Sequence, residues 1–304
     1  MKLKCLAGCA IMVPVFVGNV LAGSPAQLKP ISDADMDKIK SAIPAKATAK
    51  PAKQRKVLVF WLCKGFYHRS IPVGNTALVE LGKMTGAYEA VLSNDMEVFS
   101  KENLAQFDAV VFNNTTRLTF DKPEQREALM DFVKSGKGVI GIHAGSDNFY
   151  NWPEAAEMMG GQFNGHPWGA GGTWAIKIDE PDHVLCQAFE CKAIKLKDEI
   201  YDIKGAYSRD THRVLLSLDM SDPSTGSKKG RREDKDYGIA WIKPCGDGRV
   251  FYCSLGHNSH IYWTPEVLQH YLDGIQYALG DLKADDRPSS KLSPAPKAAT
   301  INVE

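Results

Sequence analysis

The sequence predicts an α/β fold: a flavodoxin-like three-layer α/β/α sandwich with a mostly parallel sheet and a mixed or antiparallel C-terminal part. Three observations predict it. The continuous apolar run KVLVFWL at residues 56–62 suits a strand covered on both faces, because a strand with one wet face alternates apolar and polar residues. Strand-like and helix-like segments then alternate up to residue 143, and connections of that length imply right-handed crossovers between parallel strands. Beyond residue 170 the strand-like segments TWAIKID, AIKLKDEIYDI, RVLLSLD, YGIAWIK and GRVFYCSLG follow one another with few helices between them, as antiparallel or mixed strands do.

Taken in order, TALVELGKM after the first strand has helical spacing, and YEAVLSN and FDAVVFNN are the next two strands. Asp121, with Pro123 and Glu124 behind it, marks a helix start, because the aspartate can cap free amides while Glu124 reaches back. That helix ends at KSGKG, and GVIGIH is the fourth strand, expected beside the first near the sheet centre. A closing helix starts at Thr264-Pro265 and carries Val267, Leu268, Tyr271, Leu272 and Ile275 on one face.

At 304 residues, with 44% hydrophobic and 24% charged, the chain can bury one substantial core. Its 37 Lys and Arg against 36 Asp and Glu leave a formal charge of +1, which supplies no field for nucleic acid or acidic lipid. The one basic cluster, KKGRRE at residues 228–233, lies among Gly and Ser and reads as a solvated loop. Residues 1–22 read as a signal peptide: Lys2 and Lys4 precede an apolar segment, and Val20-Leu21-Ala22 offers small residues for cleavage after Ala22. That segment is short for a membrane span, so export to the periplasm or beyond is expected. LAGC at residues 6–9 resembles a lipoprotein box, but the apolar run follows Cys9 instead of preceding it, which ranks lipidation second. Residues 23–54 are rich in Pro, Ala and Lys and read as a linker with one short helix near residues 33–43. The globular domain is expected over residues 55–282, followed by a disordered tail over 283–304.

After the signal segment five cysteines remain: Cys63, Cys186, Cys191, Cys245 and Cys253. Cys186 with Cys191, or Cys245 with Cys253, are near enough in sequence to pair in an oxidising compartment, and at least one cysteine stays free. No CxxC occurs, so neither a zinc ribbon nor a thioredoxin-type site is indicated.

In a parallel α/β sheet the ligand crevice lies outside the carboxyl ends of the strands, so the residues after each strand are informative. There stand His68 and Arg69, then Asn113 and Asn114, then His143 and Asp147, and later His166, Trp168, Glu199, Tyr201 and His257. His143 lies between Gly141 and Gly145, on a strand-to-turn corner of the kind that lifts a nucleophile above the sheet. Single histidines after strands are more often structural, which is the reading for His183, His212 and His270; convergence on one rim favours function for His68, His143, His166 and His257. Asp147 and Glu199 are either site carboxylates or caps and surface charges. Trp168 either packs or offers an aromatic face to a sugar ring.

The series FYHRS, VVFNNT, GVIGIHAGSDNFYNWP, MMGGQFNGHP, DEPDHVL, KDEIYDI, VLLSLD, GIAW and GRVFYCSLGH resembles, in order, the pattern of the ThuA-like (trehalose utilisation A) family across roughly residues 56–282. The resemblance implies a class I glutamine amidotransferase-like fold and a place in disaccharide use through 3-keto-sugars made by partner dehydrogenases. It also implies that the recurrent polar positions are His68, His143, Asp147, His166, Glu199 and His257. Relatives commonly carry His-Pro before IAW where this chain has Tyr237-Gly238, so no role is carried to that position. A glutamine amidotransferase needs an activated thiolate at the turn. His143 stands there instead, and Cys63, after the first strand, is misplaced for the task.

A neutral imidazole at the turn can abstract the acidic hydrogen beside a ketone, with Glu199 and Asp147 as further acid/base groups. It can also help His166, His257 and Glu199 hold a divalent metal, Zn or Mn. His68, Arg69, Asn113, Asn114, Trp168 and Tyr201 are candidate substrate-binding residues. The expectation is an exported sugar-processing enzyme acting on a keto-glycoside or disaccharide derivative by isomerisation, hydration or elimination. The alternatives are a non-catalytic carbohydrate-binding or scaffold protein and a metal-dependent glycoside hydrolase. The partner expected is a small-molecule sugar, not nucleic acid; the sequence leaves the oligomeric state open.

Overall fold

The structure is a computed structural model and describes residues 30–301. The signal peptide expected over residues 1–22 and the first part of the expected linker lie outside the described residues. Along the chain the elements are α1 (Asp33–Ala42), β1 (Lys56–Phe60), α2 (Ile71–Thr85), β2 (Glu89–Ser93), α3 (Lys101–Leu104), β3 (Ala109–Asn113), α4 (Pro123–Lys134), β4 (Gly138–Ile142) and α5 (Pro153–Met159). Then follow β5 (Gln162–Phe163), β6 (Thr173–Ile178), β7 (Ile194–Lys197), β8 (Ile203–Lys204), β9 (Arg213–Leu218), α6 (Pro223–Gly226), β10 (Gly238–Cys245), β11 (Gly248–Cys253) and α7 (Pro265–Ala278).

Nine strands form one sheet in the order β2-β1-β3-β4-β11-β10-β9-β6-β7. The pairs from β2 through β11 are parallel. From β11 onward every neighbour is antiparallel, which gives the mixed half expected of the C-terminal segments. β3 separates β1 from β4, so the expected adjacency of the first and fourth strands does not hold.

The apolar run of β1 works as a strand buried on both faces. Val57 and Val59 pack with Leu78 and Leu81 of α2 and Leu268 and Leu272 of α7. Leu58 and Phe60 pack on the other side with Leu129 and Val133 of α4 and Met159 of α5. Successive residues of a strand point to opposite faces, so burial of both series requires helices on both. The result is a three-layer sandwich. α4 begins differently from expectation: Lys122 is its cap residue and makes no side-chain cap bond. Asp121 is exposed and pairs at 3.7 Å with Lys64.

Two segments, one read as a linker with a short helix and the other as a disordered tail, are instead docked. α1 starts where expected, with Ser32 Oγ accepting from the Asp35 amide, and buries Ile39 and Ala42. Residues 49–55 are then fastened to the end of α7, where Gln276 bonds both the amide and the carbonyl of Ala49 and Arg55 forks onto Asp281. The tail expected to be disordered past Lys283 returns along the sheet instead. Ile178 and Ala299 exchange backbone hydrogen bonds at 3.0 and 2.9 Å, and the Ile301 amide donates to Asp219. Composition signals a linker because Pro, Ala and Lys supply little apolar surface, yet Ile39, Ala42 and Ile43 join the core and polar bonds fasten the rest of the two segments. Each described cysteine is free, so neither expected pairing forms. In the β10–β11 hairpin Cys253 faces Ala240 while Cys245 faces Gly248 near the turn, which rules out a bridge between them.

Candidate active site at the carboxyl ends of the strands

The loops after β1, β4, β7 and β11 converge at one end of the sheet. His143 is the first residue past β4 and stands at φ +47°, a left-handed conformation that a side chain seldom adopts. Tyr252 of β11 and Ser254 just past its end hold it there. His143 Nδ1–H donates to the Ser254 carbonyl at 2.6 Å, and the His143 carbonyl accepts from the Tyr252 hydroxyl at 2.8 Å. The bond to Ser254 fixes the tautomer, so the neutral ring presents the Nε2 lone pair to the site.

That Nε2 is buried without a hydrogen-bond partner and lies 3.7 Å from Glu199 Oε1. His257 Nδ1, in the loop after β11, lies 3.2 Å from the same carboxylate oxygen and is also without a well-aligned partner. His68, in the loop after β1, is 3% exposed; its ring stands edge-on to those of His143 and His257 at 4.9 and 5.1 Å, and its Nδ1 is unpartnered. One ligand atom from each of His68, His143, Glu199 and His257 lies within 4.8 Å of the others. Asp198 sets the loop after β11, its two oxygens accepting from the Gly256 and Asn258 amides at 2.7 and 2.8 Å. Gly256 is required there: its φ is +130°, and a Cβ would stand 2.8 Å from the Tyr262 hydroxyl.

Charge follows from this arrangement. Burial pushes the Glu199 carboxyl upward, but His143 and His257, when protonated beside it, prevail and hold it well below the usual carboxylate range. Burial, reinforced by the neighbouring His143 and His257, drives His68 down to about 2, so it is a neutral ring at working pH. His257 is also opposed by burial, yet Glu199 raises it. Three imidazoles gathered on one carboxylate, with buried lone pairs left unpaired, form a donor set suited to a divalent cation of the zinc class.

The remaining expected residues divide. His166 lies on the rim, 55% exposed, with Nδ1 3.3 Å from the second oxygen of Glu199, outside the quartet. Asp147, Tyr201 and His166 line a cavity of about 320 Å³ together with Phe66, Arg117 and Phe163, none of which the sequence reading singled out. Tyr201 packs its ring 4.3 Å from that of His143. Asp147 accepts from the Tyr150 hydroxyl and meets Arg117 Nε at 3.5 Å; burial nevertheless pushes its carboxyl up.

Four expected substrate contacts stand elsewhere. Trp168 is fully buried, its indole donating to the Thr225 carbonyl and its ring edge-on to Tyr237. Asn113 and Asn114 are fully buried and bonded to Asn75 and Tyr262, which makes them braces behind the site. Arg69 is exposed outside the cavity. His183, His212 and His270 bond backbone groups away from the cavity, as expected of structural histidines. Cys63 is a thiol, pushed up chiefly by burial and donating to the Asn114 carbonyl, which leaves no thiolate for acyl transfer.

The sequence matches the family described as ThuA, trehalose utilisation, over residues 56–278. The chain belongs to the ThuA family. Among solved structures, the ThuA-like protein of Bacteroides uniformis aligns with a TM-score of 0.59 at 18% identity, covering 76% of this chain and 94% of that one. The ThuA-like protein of Parabacteroides merdae aligns with a TM-score of 0.56 at 19% identity, covering 77% and 93%. At these identities the likeness is one of fold, an α/β sandwich around a mixed sheet. A comparison with curated proteins finds no match. Among the described residues of the ThuA chain no helix is long and apolar enough to cross a membrane.

Proposed function

We propose that this ThuA-family chain is a carbohydrate-processing enzyme in which His68, His143, Glu199 and His257 hold a divalent cation, zinc or manganese, beside a sugar substrate. The observation that carries this reading is the set of three buried, unpartnered imidazole nitrogens gathered around one carboxylate. An unsatisfied buried polar atom destabilises a fold by about 1–3 kcal/mol; single ones also occur at His212 and His270, and it is the convergence of three on one carboxylate that points to a ligand. The same count disfavours a scaffold that has lost its chemistry.

A cation bound there would polarise a sugar carbonyl or hydroxyl. The chain's own residues do the rest. His143 changes role from the expected free base to a ligand, because its one available nitrogen faces the quartet. Proton transfer then falls to the polar groups of the cavity outside the quartet, His166 and Asp147. Arg117 and Tyr150 hold the Asp147 carboxyl in place. Removal or return of the acidic hydrogen beside a ketone, in isomerisation, hydration or elimination of a keto-glycoside, is the chemistry such a pair serves. The cation also suits a metal-dependent glycoside hydrolase, and the two differ in whether the keto group is required. Export, as expected from residues 1–22, belongs to this reading and is tested by sequencing the mature N-terminus.

The test is incubation of the native protein with disaccharides and their 3-keto forms, with and without chelator. Turnover of a keto form that chelator abolishes and zinc or manganese restores supports the proposal. Equal turnover of the parent disaccharide favours the hydrolase, and binding without turnover in any condition contradicts an enzyme.

A further inference from the structure

Phe66 is 64% exposed, an unusual position for so large an apolar side chain, and it stands on a loop that the backbone holds fast. Thr116 fixes that loop: its hydroxyl donates to the Phe66 carbonyl at 3.0 Å and accepts from the Gly65 amide, and its carbonyl accepts from Lys64. The ring of Phe66 lies parallel to that of His257, 18° apart at 6.3 Å, and edge-on to His68. Phe163, on β5, is half-buried against Tyr201 and stacked on His166 at 5.9 Å. Both phenyl rings line the same cavity as Glu199, yet they come from chain segments nearly a hundred residues apart.

A cavity lined by imidazole and carboxylate groups and by two phenyl rings suits a ligand that is polar at its edge and apolar on its faces. A neutral pyranose ring has that character: its hydroxyls radiate around the rim while its axial C–H bonds form apolar patches above and below. Resting on the reading of the site as a sugar site, we infer that Phe66 and Phe163 are the substrate-positioning residues that take the faces of a pyranose ring. The expected aromatic platform, Trp168, is in the core, whereas these two phenylalanines line the cavity. The rigid loop under Phe66 means that little side-chain freedom is lost when a sugar stacks on it.

The experiment is calorimetric titration of the native protein and of Phe66→Ala, Phe66→Trp, Phe163→Ala and Phe163→Tyr with trehalose and with its 3-keto form, alongside melting curves. Loss of one aromatic face should weaken binding about tenfold, with Phe66→Trp and Phe163→Tyr restored to near the native affinity. Melting temperature should hold steady in Phe66→Ala, since the exposed ring fills no core, so a weakened affinity there reads contact rather than folding. Phe66→Trp should also change its emission on adding sugar. Native-like affinity in both alanine variants overturns this inference and leaves the sugar site standing. Absence of binding by the native chain to either form overturns the sugar reading and this inference with it.

Discussion

Asp273 shows how one residue can set a pH dependence. It is 2% exposed on α7, and burial pushes its carboxyl up to about 6 against hydrogen bonds from Thr48 and Gln269. A carboxyl raised in the folded state binds its proton more tightly there than in the unfolded chain. Stability from this group is therefore complete below its ordinary value near 3.8 and is lost as pH rises through about 6, on the order of 2–3 kcal/mol in all. Asp273→Asn keeps an acceptor for Thr48 and removes the titration. Its melting temperature should exceed the native value at pH 7 and match it near pH 4; equal curves across that range would contradict the assignment. At the site the decisive residue is Glu199. Glu199→Gln removes the one negative charge among three imidazoles and should weaken zinc binding by more than about 100-fold, read by titration with a competing chelator. His143→Ala should weaken it similarly, whereas Arg69→Ala, outside the cavity, should leave it unchanged.

The arm and the tail carry predictions at the scale of elements. α1 rests on α2, residues 49–55 are tied to α7, and the tail pairs with β6 and caps the Arg213 side of the sheet through Asp285. Limited proteolysis of the folded protein should therefore leave a fragment that starts before Ser32 and retains Ala299. A resistant core beginning near Lys53 and ending near Lys283 would contradict the docking. Deleting residues 284–301 should lower the melting temperature by roughly 2–4 °C for each kcal/mol lost, because the Ile178–Ala299 and Ser289–His212 backbone bonds go with it. The sheet strands were legible because an apolar run or an alternation states its own burial. The helix of the arm was legible, but the docking of the rest of the arm and of the tail was not, because backbone amides there meet Asp281, Asp219 and the His212 carbonyl, partners that leave no pattern in local composition.

At the scale of the whole molecule, the sheet topology does what the alternation of elements predicted, bringing strand ends that are distant in sequence to one rim. His143, Glu199, His257 and His68 could be read from the sequence as residues just past strands. Their division into a quartet with His166 beside it could not, because it depends on the Ser254 carbonyl that turns the His143 ring and on the Asp198 carboxylate that shapes the loop after β11. Trp168 went to the core because the strand-end rule locates a segment and says nothing about which way each side chain turns. Phe66 and Phe163 were hidden for the same reason. The proposed chemistry depends on a cation held by the quartet. Its most direct test is elemental analysis of the folded, chelator-stripped protein after equilibration with zinc or manganese, native beside Glu199→Gln. About one cation retained per native chain, and far less by the variant, is the predicted result. A folded native chain that retains no more of either metal than the variant would contradict it.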